Sequence, residues 1–201
     1  MRIRKFIEDN FMIDKAESGE FVPFIFRPVQ VEYYDILCRE YGEDAMFEGL
    51  REIIIKARKE GFTSLILGIF ASVIALGKNA SGFLEISYRE DATKQHFRRL
   101  KRFLLSLVTK DSKKWTPEVD RSIFASLTEG TELVWKDNQA SYFVGSATTR
   151  TGKRGGTTQG ILFTEGAHYP DTSVLRASEI IEGTRSQVSP SAGMIFYETT
   201  A

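Results

Sequence analysis

Seventeen consecutive residues, Gly61 to Gly77, carry no charge and are mostly Leu, Ile, Phe, Ala and Val. Nothing else in the chain restricts its fold as strongly, because a run of this kind has to be taken out of water. It is marginal for crossing about 30 Å of hydrocarbon, and Thr63, Ser64 and Ser72 interrupt it. It reads instead as a helix from Thr63 to about Leu76, buried on nearly all sides within a layered core. Just before it lies Glu52-Ile53-Ile54-Ile55-Lys56, a β-branched run that suits a buried parallel strand. A polar turn, Ala57 to Phe62, joins the two.

The remaining pattern repeats this alternation. Val29 to Tyr41 has apolar residues at helical spacing, and Phe83 to Tyr88 reads as a second strand. Asp91 suits the N-cap of a helix whose apolar stripe is Phe97, Leu100, Leu104 and Leu107. Thr131 to Trp135 and Ala140 to Val144 flank a polar Lys136-Asp137-Asn138-Gln139 and read as a hairpin. Thr149 to Gln159 is a glycine-rich polar loop, Gly160 to Phe163 a buried strand, Ser173 to Ile181 a helix and Gly193 to Tyr197 a last strand. Strands alternating with helices predict an α/β fold with a mainly parallel sheet. A core strand so close to Ala201 leads us to expect that the sequence is one domain, 1–201, of a longer protein.

Charge and cysteine content exclude several classes. Lys plus Arg and Asp plus Glu both number 27 in the 201 residues, so no global basic field draws the chain to nucleic acid, and any such contact has to be local. A lone Cys38 allows no internal disulfide and suits a reducing compartment. Two histidines, His96 and His168, offer little for a zinc centre. The charged N-terminus lacks the apolar middle of a signal peptide.

Three stretches carry residue types fitted to chemistry. In Lys56-Ala57-Arg58-Lys59-Glu60-Gly61-Phe62-Thr63-Ser64, backbone N–H groups can wrap an anion at a helix N-terminus, with cations and a hydroxyl beside it. Gly61 and Thr63 fit the phosphate-loop pattern G-x-x-x-x-G-K-[ST], but Lys56 takes its first glycine position and Phe62 its lysine position. An ordinary strand-to-helix turn with solvated Lys56, Arg58 and Lys59 fits the same residues. The second stretch, Gly160 to His168, is an apolar strand that delivers Thr164 and Glu165 at its C-terminal end, where a carboxylate can orient an attacking water. Thr164 stands where an aspartate is expected and can position a water without supplying charge. The third, Tyr197-Glu198-Thr199-Thr200-Ala201, places hydroxyls at another strand tip, where they could sense a terminal phosphate.

In this order and spacing the chain resembles, over nearly its whole length, the N-terminal ATPase domain of the large terminase subunit of tailed bacteriophages, a DNA-packaging motor. Arg27-Pro28-Val29-Gln30 resembles the family's adenine-recognition segment, and Lys56 to Thr63 its deviant Walker A loop, with lysine at the start and an arginine inside. Gly145-Ser146 and Arg154-Gly155-Gly156-Thr157 resemble the stretch ahead of Walker B, Ile161 to His168 a Walker B in Thr-Glu form, and Glu198 to Ala201 the coupling motif. The resemblance implies a three-layer P-loop NTPase fold of the ASCE type that binds ATP and Mg2+ and hydrolyses ATP to drive double-stranded DNA into a procapsid.

The resemblance further implies that Arg27 and Gln30 read adenine, while the backbone of Ala57 to Ser64 cradles the phosphates. Lys56 and Arg58 would neutralise developing charge, Thr63 would bind Mg2+ with Thr164 steadying its water shell, and Glu165 would orient the water. Thr199 or Thr200 would report phosphate loss. Implied partners are DNA, a small terminase subunit and a homo-oligomeric ring on the capsid portal, in the host cytoplasm and away from any membrane. The isolated domain is expected to be monomeric and, without the family's nuclease domain, unable to cut DNA. Two other functions fit these residues: a helicase-like P-loop translocase, or a DNA-binding or assembly module that keeps the fold without hydrolysis. Eight basic residues between Lys94 and Lys114 suit a DNA-facing strip, but they equally suit the wet face of an amphipathic helix.

Overall fold

The computed structural model describes residues 3–15, 18–42, 47–78, 81–148, 158–172 and 176–201. In chain order its elements are α1 (Ile3–Asn10), β1 (Met12–Asp14), β2 (Phe21–Pro23), α2 (Pro28–Tyr41), β3 (Arg51–Lys56), α3 (Phe62–Leu76), β4 (Gly82–Ser87) and α4 (Glu90–Ser106). There follow α5 (Pro117–Ile123), β5 (Phe124–Thr128), β6 (Glu132–Trp135), β7 (Ser141–Ser146), β8 (Thr158–Thr164), α6 (Ala177–Arg185) and β9 (Met194–Thr200). Seven strands make one sheet in the order β3-β9-β8-β4-β7-β6-β5. β3, β9, β8, β4 and β7 run parallel to their neighbours, while β5, β6 and β7 are joined antiparallel.

The charge-free run behaves as its composition demands. Every residue of α3 from Ser64 to Ile74 is buried, and so is Phe62. α3 packs with α1, α2 and α4 on one face of the sheet, where Leu162, Met194 and Phe196 join the same core. The other face is covered more thinly, by Ala177, Ile180 and Ile181 of α6 against Ile161, Phe163 and Ile195. Helices therefore lie on both sides of a mainly parallel sheet. No helix among the described residues is long and apolar enough to cross a membrane.

Several expectations need correction. β3 was expected to be buried; it is the edge strand, bonded only to β9 among the described residues, and Ile53 and Ile55 are 75% and 70% exposed. A β-branched run reports strand propensity, which an edge position satisfies as well as a central one. The last strand does not end at Tyr197: it continues to Thr200 because Glu198 pairs with Ile54 and Thr164, and Thr199 and Thr200 with Ile55 and Lys56. Asp91 is not an N-cap. Arg89 holds that position, and Asp91 lies with Glu90 in the first turn, where acidic groups complement the helix dipole. α6 spans Ala177–Arg185, four residues later at each end than the expected helix, whose residues 173–175 are outside the described ones. The hairpin is present as β6 and β7, and β5 lengthens it to three strands.

Candidate functional site

Parallel strands bring their C-terminal ends to one edge of the sheet, and here those ends open into a pocket of about 310 Å³. Lys56, Arg58 and Lys59 line it from β3 and the turn that follows, and Thr63 from the first turn of α3. Thr164 contributes from the end of β8, Glu165 and His168 from the turn that follows it, Thr200 from β9, Tyr88 from the β4–α4 connection, and Ala92 and His96 from α4. The volume is within the range of small-molecule sites.

The turn's shape has a definite cause. Gly61 has φ +79°, in the left-handed region, and a Cβ there would stand 2.8 Å from the Gln30 amide nitrogen. Gln30 is 2% exposed; its Nε2 donates to the Gly61 carbonyl at 2.8 Å and its Oε1 accepts from the Arg27 amide at 2.9 Å. Arg27 itself donates to the Lys59 carbonyl at 2.6 Å. Both residues expected to read adenine thus brace the turn, and neither lines the pocket. No side chain caps α3, so its first amide groups keep their affinity for an anion. Phe62, in the usual lysine position, is 6% exposed with its ring edge-on to Tyr33 at 5.3 Å, a core position. Ser64 is buried as well, and Ala57 and Glu60 do not reach the pocket.

A buried charge network underlies the pocket. The Lys56 side chain is 8% exposed, with Nζ 2.7 Å from Glu198 Oε1 and 3.7 Å from Glu165 Oε1. Thr63 donates its hydroxyl to the same Glu198 oxygen at 2.6 Å. Glu165, at φ 54° and ψ 42°, turns the chain sharply off β8, a left-handed conformation uncommon for a non-glycine residue. Its Oε2 accepts from the Thr200 hydroxyl at 2.8 Å and the Thr200 amide at 3.1 Å. Burial pushes the Glu165 carboxyl up, but the two Thr200 hydrogen bonds, then the Lys56 and His168 charges, outweigh it and hold it below the usual carboxylate range. Thr200 therefore meets Glu165. Thr199, one residue earlier, points to the opposite face.

Sequence reasoning missed a second cluster. Glu85 of β4 is fully buried; it bonds the Tyr142 hydroxyl with one oxygen and His96 Nδ1 with the other. Burial lowers the pKa of the neighbouring Arg99, with the Glu85 charge opposing that shift. This places His96, backed by a carboxylate, on the wall of the pocket. No local pattern could have shown it, since Glu85, His96 and Tyr142 come from three elements. Within the basic strip, Lys101 pairs with Asp120 and Glu129, Arg102 with Asp14, and Lys94 with Glu90. Arg150, Lys153 and Arg154 of the glycine-rich loop lie outside the described residues, with Gly155, Gly156 and Thr157. Among the described residues no group of three His, Cys, Asp or Glu could hold a metal ion by itself.

No protein-family model and no curated protein sequence matches the chain. Solved structures do. The large terminase of bacteriophage HK97 superposes with a TM-score of 0.65 at 17% identity, over 98% of this chain and 37% of that one. The large terminase of a thermophilic bacteriophage gives 0.58 at 13%, over 88% and 39%, and has also been solved with ATP-gamma-S and with ADP. A variant of the large terminase ATPase domain of Thermus phage P74-26 gives 0.55 at 15%, over 86% and 64%. The chain thus spans well under half of the first two proteins. At these identities the likeness shows the fold: this is the α/β architecture of large terminase ATPase domains.

Proposed function

We propose that the chain is an ATP-hydrolysing motor domain of a DNA-packaging terminase, acting on double-stranded viral DNA in the host cytoplasm. The observation that carries this reading is the joint placement of Lys56 and Glu165 at the end of the sheet beside the uncapped N-terminus of α3. Ligands of open α/β sheets bind at the carboxyl ends of the strands, and one structural neighbour has been solved with ATP-gamma-S and with ADP.

In this reading the amides of residues 57–64 cradle the phosphates, and Lys56 and Arg58 offset charge that develops on the transferred phosphoryl group. Glu165, kept ionised by Thr200 and Lys56, orients the attacking water. Arg27 and Gln30 serve the adenine side through the turn they hold. The donors on hand suit a hard divalent cation: the Thr63 hydroxyl lines the pocket, and the buried Thr164 hydroxyl has no hydrogen-bond partner among the described residues. Mg2+ bound there would neutralise phosphate charge. Thr200 would feel the loss of phosphate directly, through its contact with Glu165; Thr199 is placed to carry that signal to the opposite face. A ring on a capsid portal, a small terminase subunit and DNA complete the proposed setting, and no membrane enters it.

Glu165→Gln tests the reading. It keeps an acceptor for Thr200 but removes the charge that orients water, so ATP affinity should hold while turnover falls at least about a hundredfold. Phosphate release and nucleotide titration decide it; unchanged turnover would remove Glu165 from the reaction.

A further inference from the structure

Thr164 leaves the site short of a carboxylate, and the next strand holds one. Across the β8–β9 ladder Thr164 pairs with Glu198, and the two side chains share a face of the sheet. Glu198 is 1% exposed, with Oε1 committed to Lys56 and Thr63. Its Oε2 has no hydrogen-bond partner among the described residues, and neither has the buried Thr164 hydroxyl. A buried carboxylate with an uncommitted oxygen is costly to retain. The contact with Thr63 has a direction, too. By accepting the hydroxyl hydrogen, Glu198 leaves the Thr63 lone pairs for another partner, the orientation a cation ligand requires.

We propose that Glu198 supplies from β9 the negative charge that Thr164 cannot supply from β8, as the positioning residue for the Mg2+ that accompanies nucleotide. It orients the Thr63 hydroxyl, leaves Oε2 available to the metal's water shell, and neutralises Lys56 until phosphate arrives. The carboxylate has changed strands while keeping its place in the site. This inference rests on the nucleotide reading above.

The test titrates a fluorescent ATP analogue into the whole chain, with Mg2+ and with EDTA. In the wild type Mg2+ should tighten binding at least about tenfold. In Glu198→Gln the metal-free affinity should rise, because a negative charge has left the surroundings of the triphosphate, while the gain from Mg2+ falls below about twofold. The double variant Thr164→Asp, Glu198→Gln returns a carboxylate to the facing strand and should recover most of that gain. Glu198→Asp keeps a charge beside Lys56, so it remains measurable if Glu198→Gln does not fold, and it should show an intermediate gain. A wild-type response to Mg2+ in whichever Glu198 variant folds overturns the proposal and leaves nucleotide binding intact. So does a double variant that binds nucleotide without recovering the gain. Failure of the wild type to bind nucleotide in either condition overturns the nucleotide reading as well.

Discussion

Lysine placement is decided by what surrounds each position rather than by distance to the phosphates alone. Phe62 stands where phosphate loops usually carry lysine, but its ring is buried against Tyr33, whereas Lys56 is already held at the pocket by Glu198. Lys56→Ala should therefore weaken ATP binding and hydrolysis together, and adding Phe62→Lys should not restore them. The second change also buries an unpaired ammonium, so a lowered melting temperature is expected beside the unrescued activity. Glu165 makes a prediction about pH. Its folded-state pKa is depressed below the unfolded value, so its contacts add stability above the unfolded pKa and lose it as pH falls through the folded one. The difference in melting temperature between wild type and Glu165→Gln should stay level from neutral pH into the ordinary carboxylate range and close only below it.

At the scale of elements, the site depends on how β3 is joined to α3. Gly61 is required twice, by its positive φ and by the approach of Gln30, so Gly61→Ala should deform the turn without touching the pocket's charged groups. We expect a loss of about 1–3 kcal/mol in denaturant titrations and weaker nucleotide binding than in Gln30→Ala, which removes the brace but leaves the turn free to form. Much of this junction was legible in the sequence, because the Ile run, Gly61 and the uncharged helix are contiguous and each follows from local chemistry. Thr164 and Glu165 were legible for the same reason, at the end of an apolar strand. Glu198 was not. It stood in plain view one position before Thr199, but its importance comes from lying opposite Thr164 in a ladder whose register no local pattern gives. The period of two along β9 separates Thr200 from Thr199, yet it cannot say which of them faces Glu165 until the strand is paired. Gln30 stands out in the sequence only through a resemblance that assigns it to adenine, and only the three-dimensional approach of α2 to the turn shows what its amide holds. The exposure of Ile53 and Ile55 was misjudged because composition reports the wish to form a strand and is silent about position in the sheet.

Considered as a whole, the molecule keeps its polar chemistry on the side where the layers are thick. α2, α3 and α4 seal one face, while the face beneath Ile53, Ile195 and Tyr197 opens into a groove of about 540 Å³ lined also by Arg51 and Arg185. If the chain works in a ring, part of its transition-state stabilisation comes from a neighbour. Arginines supplied in trans contribute about a thousandfold or more in related phosphoryl transfers, so phosphate release per chain should be slow when dilute and climb with protein concentration. Rapid turnover independent of concentration would show that each chain is catalytically complete. The one-sided attachment of β3 also sets an order in which the protein fails. Among the described residues the strand bearing Lys56 is held by a single ladder, whereas α3 is locked in the interior, so partial opening should begin at the edge and reach the core last. A stored or gently stressed sample would then lose its grip on nucleotide while its helices still look intact to spectroscopy, and the age of a preparation would be told by its function well before its shape.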